Sequence, residues 1–247
     1  MRFGAIVIGD EILSGKRQDK HIPKLIELLS SRGLELAWAQ YLGDDPALIT
    51  DTLARTLKGS EVVFSFGGIG ATPDDHTREC AARAAGVALQ LHPDAESEIR
   101  ARFGEDITPR RLMMGEFPVG SSIIPNPYNR IPGFSLGNHH FVPGFPQMAW
   151  PMIEWVLDNR YADLHAPGAI AERSIIVTGC GESQLVDLMN DCLARYPGLK
   201  VFSLPRMGEQ RHVELGVRGN AADVPAAIGI LQTGVSSLGF AWRDPTT

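Results

Sequence analysis

The chain has 247 residues, of which 44% are hydrophobic and 21% charged, and this composition excludes the disordered and fibrous classes. No apolar run reaches the ~18 residues that a membrane-spanning helix needs. The net charge of −6 argues against a broad basic surface for nucleic acid. Three cysteines without a Cys-x-x-Cys pair favour neither a disulfide framework nor a cysteine zinc site. We therefore expect a cytoplasmic protein with neither a membrane nor a nucleic-acid partner.

The first part of the chain alternates strand-like and helix-like patterns. Short apolar runs predict strands, and apolar stripes with helical spacing that end near glycine predict helices. The predicted strands are residues 3–9, 36–42 and 62–66, and the predicted helices between them are residues 22–32 and 47–57. This β-α-β-α-β order predicts a three-layer α/β/α fold, with a parallel sheet covered by helices on both faces.

The next segment combines helices with a region rich in turns. Helical patterns cover residues 78–85 and 95–103, whereas residues 108–146 are rich in proline and predict short antiparallel strands at 122–124 and 140–142. A further helix is predicted at residues 147–157. Pro151 inside it indicates a kink or a first turn.

The sequence Ala-Pro-Gly-Ala at residues 166–169 is typical of a linker, so we predict one domain at 1–165 and a second, smaller domain at 170–247. In the second domain, the patterns indicate strands 173–178, 199–204, 212–217 and 236–241 and helices 183–196 and 224–233. The resulting β-α-β-β-α-β order predicts an α+β domain of the split βαβ type.

Three predicted strands end in polar, glycine-containing segments, where an open α/β sheet binds its ligands. These are Gly9-Asp10-Glu11 with Ser14, Gly43-Asp44-Asp45, and the segment GGIGATPDDHT at residues 67–77. Glycines let a backbone approach a ligand closely and point its N–H groups at phosphate oxygens. The segment is neither a Walker loop, since no Gly-Lys-Ser/Thr follows, nor a G-x-G-x-x-G motif, since Pro73 replaces the third glycine.

Carboxylates accompany this predicted phosphate loop. Asp74, Asp75 and either Asp44 or Asp45 would repel a phosphate, unless a divalent cation bridges the two kinds of oxygen. The same residues also fit a structural interpretation, because Thr72-Pro73-Asp74-Asp75 is typical of a helix start and Thr77 could equally cap that helix. Both interpretations stay open for each aspartate taken alone.

Residues 67–77 resemble the G-G-x-G-x-T-x-x-D-x-T signature of the molybdopterin-binding (MoaB/Mog-like) domain, in the version found in the CinA (competence/damage-inducible protein A) family. Further similar segments include residues 9–15, 42–45, 124–126 and 142–146, in the family's order and spacing. The tail, with the sequence GCGES at residues 179–183, resembles the small KH-like domain of CinA more weakly. The C-terminal deamidase domain of CinA has no counterpart in these 247 residues, so we expect no deamidase activity from them.

The resemblance implies that the chain binds molybdopterin or a nucleotide through its phosphates. It also implies either cleavage of ADP-ribose at its pyrophosphate with Mg²⁺ or Co²⁺, or a step of molybdenum-cofactor synthesis such as adenylyl transfer. Asp44 and Asp75 match the positions expected to act in catalysis and to hold the metal. The implied ligand-binding residues are Gly9, Asp10, Glu11, Ser14, Gly67, Gly68, Gly70, Thr72, Asp74, Thr77, Pro143 and Gly144.

The chain departs from the family pattern at several positions. Asp19 and His21 stand where CinA-like proteins carry asparagines, Ala71 replaces a proline, and Gln147 stands where an acidic residue is common. These departures keep a third function open, a ligand-binding module without turnover. The family also implies a dimer or trimer, for which the apolar sequence MAWPM at residues 148–152 is a candidate contact surface.

Overall fold

A computed structural model of the chain describes residues 1–206 and 211–245. Its residues divide into two units, Met1–His165 and Ala166–Thr247. Within the part of the chain that is described, no helix is long and apolar enough to cross a membrane.

The first unit alternates strands and helices from its first residues to its last helix. Its strands are β1 Phe3–Ile8, β2 Leu36–Leu42, β3 Val62–Phe66, β4 Leu89–Leu91, β5 Glu116–Pro118, β6 Ser122–Ile124, β7 Gly133–Leu136 and β8 His139–Val142. Its helices are α1 Asp10–Leu13, α2 His21–Ser30, α3 Pro46–Thr56, α4 Thr77–Ala85, α5 Pro93–Phe103, α6 Pro109–Leu112 and α7 Pro146–Arg160. The strands β4, β5 and β7 have no counterpart in the predictions from sequence.

Six of these strands form one mixed sheet in the order β2-β1-β3-β8-β7-β6. The neighbours β2, β1, β3 and β8 run parallel, so their carboxyl ends lie at the same edge of the sheet. The prediction of short antiparallel strands is only half right: β8 is antiparallel to β7 but parallel to β3. The turn-rich segment therefore extends the main sheet.

Alternate residues of β1 face opposite helical layers, which confirms the predicted three-layer α/β/α fold. Phe3, Ala5 and Val7 pack with α2 and α7 on one side of the sheet. Ile6 and Ile8 pack with α3 and α4 on the other. Since β1 is central and buried at every residue, its side chains form the centre of both cores.

Two expectations concern helix α7. Pro151 lies in its interior and not in its first turn, and its missing N–H leaves out one intrahelical hydrogen bond while the helix continues to Arg160. In the stretch 148–152, Ala149 and Met152 are fully buried against the sheet, whereas Met148, Trp150 and Pro151 are partly exposed. The oligomeric state itself stays a prediction.

The second unit is a four-stranded antiparallel sheet with two helices, in the order predicted from the sequence. Its elements are β9 Ile170–Thr178, α8 Val186–Arg195, β10 Lys200–Arg206, β11 His212–Asn220, α9 Val224–Ser237 and β12 Ala241–Arg243. The sheet order β10-β11-β9-β12 is the split βαβ arrangement. The last predicted strand, 236–241, is misplaced, because Ser236 and Ser237 close helix α9 and the strand begins only at Ala241.

A polar network lies inside the first unit, next to the central strands. His140 bridges Ser135 Oγ, 2.8 Å from its Nδ1, and the hydroxyl of Tyr161, 2.7 Å from its Nε2. His139 Nε2 lies 2.9 Å from the hydroxyl of Thr56. Burial lowers the pKa of His139 to about 4 and, with help from the charge on Arg160, the pKa of His140 to about 3. Both histidines are thus neutral structural groups at pH 7.

These two histidines make the stability of the protein depend on pH. Their pKa values are lower in the folded chain than in the unfolded one, so their contribution is complete above pH 6.5 and is lost as the pH falls towards 3–4. We expect the free energy of unfolding to fall by about 2 kcal/mol per histidine between pH 6.5 and pH 5. Urea denaturation across this range measures the loss. His140→Asn should reduce this loss by about half.

We propose that the two units are separate domains joined at residues 166–168, which are exposed in the structure. Limited proteolysis should then cut first in this segment and leave a resistant fragment ending near His165. Sequencing of the fragment ends locates the cut. A resistant fragment that begins before residue 160 and continues past residue 180 would contradict two separate domains.

Candidate functional site

A cleft of about 670 Å³ opens at the carboxyl edge of the parallel strands, in the first unit. It forms where the segments after β1, β2, β3 and β8 meet, as an open α/β sheet predicts. Of the fourteen residues predicted from sequence, the structure brings eleven to its lining: Gly9, Glu11, Asp44, Gly67, Gly68, Gly70, Thr72, Asp74, Asp75, Pro143 and Gly144.

The glycine loop passes close to its neighbours, and this explains two of its glycines. Gly67 has φ +99°, and a Cβ atom there would overlap the carbonyl oxygen of Ile8 at the end of β1. Gly68 has φ +68°, and a Cβ atom there would overlap the hydroxyl of Thr77. A side chain at Gly67 would therefore force the loop away from the end of β1, and one at Gly68 would force it away from α4.

Two side chains from the start of α4 hold the loop from behind. The buried Thr77 hydroxyl donates to the carbonyl of Gly67 at 3.0 Å. The buried guanidinium of Arg78 donates to the carbonyl of Gly70 at 2.8 Å and also to the carbonyls of Met113 and Glu116. Burial lowers the pKa of Arg78, although nearby carboxylates oppose this shift. No pattern in the sequence indicates this role of Arg78, because an arginine in a first helical turn is usually a surface residue.

The backbone groups of the glycine loop differ in their hydrogen bonding. The carbonyls of Gly67 and Gly70 accept hydrogen bonds from α4, whereas the N–H groups that follow Gly67 do not donate to it. In the described residues, none of the N–H groups of residues 68–71 donates a hydrogen bond within the chain. All four residues line the cleft. Consecutive unpaired N–H groups in a concave loop are an anion-binding arrangement.

Two loops opposite the glycine loop are joined through a reciprocal pair of hydrogen bonds. The N–H of Asp10 donates to Asp44 Oδ2 at 2.9 Å, and the N–H of Asp44 donates to Asp10 Oδ1 at 3.2 Å. Burial raises the pKa of Asp44, and the charges of Asp10, Glu11 and Asp74 raise it further against the opposing hydrogen bond. Asp44 is therefore a carboxylate whose charge is poorly compensated within the chain.

Asp75 has a different environment from Asp44. Its Oδ2 accepts hydrogen bonds from both the N–H and the hydroxyl of Thr72, and its carboxylate packs against Gly70. Asp75 thus has a structural contact, but the predicted helix start is wrong: residues 72–75 form a turn, and α4 begins at Thr77 with His76 as its N-cap and no side-chain cap. The pairing of Asp44 with Asp75 stays a prediction: both line one cleft, but the aspartate that acts on the charge of Asp44 across the cleft is Asp74.

The described residues contain no group of three His, Cys, Asp or Glu placed to hold a metal ion. Mg²⁺ sites in proteins commonly use one or two carboxylates together with the phosphates of a substrate, so a complete protein cage is not required. The under-compensated Asp44 next to four unpaired N–H groups fits such a shared site. The carboxylates of Asp74 and Asp75 line the same cleft.

Three predicted residues lie outside the lining. Thr77 is buried behind the loop, Asp10 is joined to Asp44, and Ser14 lies beyond the end of α1. Sequence reasoning missed several lining residues that come from distant segments, namely Arg17, Met114, Asn129, Phe145 and Met148. No local pattern identifies them. Packing of the turn-rich segment and α7 against the sheet brings all of them except Arg17 to the cleft, and Arg17 lies between α1 and α2.

The cations near the cleft differ in their availability. Lys16 and Arg17 line it, and Arg17 Nη1 lies 3.8 Å from Glu11 Oε1, a long contact. Arg130 is paired with Glu98 on α5, with its Nε 2.8 Å from Oε2. Arg130 therefore holds a loop beside the cleft and does not offset phosphate charge inside it.

The crowding at Gly68 predicts a sharp difference between two glycine substitutions. Gly68→Ala places a Cβ against Thr77 and should lower the free energy of unfolding by about 2–4 kcal/mol. Gly137→Ala is the matched control, since Gly137 has φ +57° but open space around it, and should cost only about 1 kcal/mol. Urea denaturation measures both values. Equal losses in the two variants would contradict close packing at the loop.

Comparisons with known proteins agree with this architecture. A family model described as probable molybdopterin binding domain matches residues 4–163. A CinA-like protein of Geobacter metallireducens is 28% identical over 244 residues, covering 96% of this chain and 58% of the relative. A CinA-like protein of Anaeromyxobacter is 31% identical over 181 residues, 69% of this chain and 44% of the relative. The chain thus spans about half the length of these curated relatives.

A solved structure shows the same likeness in three dimensions. The crystal structure of CinA from Thermoplasma acidophilum, described as a protein of unknown function, superposes with a TM-score of 0.59 at 28% identity. The match covers 64% of this chain and 98% of that structure. Through residues 4–163 the chain belongs to the family of probable molybdopterin-binding domains, with CinA-like proteins among its relatives.

Proposed function

We propose that the cleft binds a phosphate-bearing nucleotide or pterin and that, with a divalent cation, it hydrolyses a pyrophosphate bond such as that of ADP-ribose. The observation that supports this most directly is the row of unpaired N–H groups at residues 68–71. A backbone loop that offers four donors to a cleft suits the oxygens of a phosphate or diphosphate.

The carboxylates across the cleft supply the reason for a cation. A diphosphate placed against residues 68–71 would face Asp44, Asp74 and Glu11. Burial already raises the pKa of Asp44, and the charges of Glu11 and Asp74 raise it further. Asp44, together with either Asp74 or Asp75, would hold Mg²⁺ or Co²⁺ there with the phosphates of the substrate. When bound, such a cation polarises a phosphoryl oxygen and offsets the charge that develops during water attack.

The remaining residues would position the substrate. The N–H groups of residues 68–71 would bind phosphate oxygens, and Arg17 and Lys16 would compensate charge from the other side. Attack of water on one phosphorus of ADP-ribose breaks the bond to the bridging oxygen and yields AMP and ribose 5-phosphate.

The family description favours a second candidate, the binding of molybdopterin or adenylyl transfer to it in molybdenum-cofactor synthesis. A third candidate, the binding module without turnover, rests on Ala71, Asp19 and His21. Incubation with ADP-ribose and Mg²⁺ or Co²⁺ separates them. Release of AMP supports hydrolysis, transfer of AMP from ATP to molybdopterin supports the second candidate, and binding without either product supports the third.

Asp44→Asn tests the cation directly. Asparagine keeps an oxygen that can accept from the N–H of Asp10, so the thermal midpoint without ligand should stay close to that of the wild type. Mg²⁺ with pyrophosphate should raise the midpoint of the wild type by mass action and have little effect on the variant. If ADP-ribose is the substrate, the rate of AMP release should fall about a hundredfold or more.

Asp51→Asn is the matched control, because Asp51 is an exposed carboxylate on α3 outside the lining of the cleft. It should behave like the wild type in both assays. Asp74→Asn and Asp75→Asn, measured in parallel, identify the second carboxylate. An unchanged response of Asp44→Asn to Mg²⁺ and pyrophosphate would contradict the proposed cation site.

A further inference from the structure

A second cavity, of about 370 Å³, lies directly beside the cleft in the same unit. The two share a wall formed by Ile8, Glu11, Arg17, Gly144 and Phe145. A ligand whose phosphates occupy the glycine loop therefore needs to extend by only one more group to enter the second cavity.

Three of the departures from the family pattern line this second cavity: Asp19, His21 and Gln147. Asp19 has a structural duty, since its carboxylate accepts from the N–H groups of His21 at 2.8 Å and Ile22 at 3.1 Å at the start of α2. The hydroxyl of Tyr41 also donates to Asp19 at 3.0 Å. Asp19 thus stabilises the start of α2, where His21 is the first helical residue.

His21 links the second cavity to the phosphate loop. Its ring stacks on Phe66 with centroids 4.5 Å apart, and its Nε2 lies 3.2 Å from the carbonyl of Gly144, which can only accept. A Cβ atom on Gly144 would lie 3.4 Å from the Cα of Gly67. His21 therefore holds the turn that packs against the glycine loop, and the two aromatic rings form an inner wall of the cavity.

Phe145 is the most accessible aromatic group of the shared wall. Its side chain is 52% exposed, although it lies one residue from the turn that touches the glycine loop. Phe145 is the N-cap residue of α7, where its carbonyl accepts from the N–H groups of Met148 and Ala149, while its ring takes no part in the cap. An exposed aromatic ring beside an anion-binding loop is a surface on which a planar ring can stack.

We propose that the second cavity holds the heterocyclic ring of the ligand, stacked on Phe145, while the phosphates lie on the glycine loop. This inference rests on the proposed binding of a phosphate-bearing ligand. The cavity offers no excess of positive charge to a second anionic group, because the two cations of its lining, Arg17 and Lys20, are matched by the two acids Glu11 and Asp19. The amides of Gln18 and Gln147 offer donors and acceptors to the polar edge of a purine or pterin.

Calorimetric titration with AMP and with ribose 5-phosphate, both with Mg²⁺, tests the proposal, because the two probes share the ribose and the phosphate and only AMP has an aromatic base. The wild type should bind AMP about 5- to 150-fold more tightly, as one stacked base provides. Phe145→Ala should remove most of this difference and leave the affinity for ribose 5-phosphate unchanged. Phe145→Trp should keep it. Neopterin phosphate in place of AMP shows whether the ring is a pterin.

Tyr128→Ala is the matched control, since Tyr128 is an exposed aromatic residue that lines neither cavity. It should bind both probes like the wild type. Equal affinity of the wild type for AMP and ribose 5-phosphate, or an equal loss for both in Phe145→Ala, would overturn the ring pocket and leave the phosphate site standing. Failure of the wild type to bind AMP, ribose 5-phosphate and pyrophosphate alike would instead overturn the proposed function.

Discussion

The glycine loop passes very close to the end of β1, and this close packing shapes the whole site. At Gly67 the backbone lies so near the carbonyl of Ile8 that no Cβ fits between them. The loop must therefore bend with a positive φ, and its carbonyls turn towards Thr77 and Arg78. Once the carbonyls are held from behind, the N–H groups of residues 68–71 are left for the cleft.

The rigid sheet beneath this loop determines how accurately the parts of the site are placed. β1, β3 and β8 are buried throughout, and the neutral pair His139 and His140 ties β8 to Thr56 and Tyr161. The turn after β8 carries Gly144, which meets Gly67 at the glycine loop. Buried hydrogen bonds in the core thus fix one wall of the cleft relative to the other.

Electrostatics and packing divide the aspartates of the site into two kinds. Asp10, Asp19 and Asp75 direct their oxygens at backbone or hydroxyl donors and shape the loops. Asp44 also accepts one such bond, but burial and the nearby acids Asp10, Glu11 and Asp74 raise its pKa, so its charge is poorly compensated within the chain. Asp75, the aspartate of the signature, therefore makes hydrogen bonds within the loop, whereas the poorly compensated charge lies on Asp44, which follows a different strand.

The alternation of strands and helices, the three-layer fold and the glycine loop followed from the sequence, because periodicity and glycine placement are local properties of a chain. Sequence reasoning also located eleven of the residues that line the cleft, since residues that follow parallel strands meet at one edge. It did not assign β8 to the main sheet or end α9 correctly, and it did not find Arg78, Met114 or Phe145. These features depend on tertiary structure. Side-chain burial, the pairing of distant strands and the repulsion between Asp74 and Asp44 all involve segments that only packing brings together.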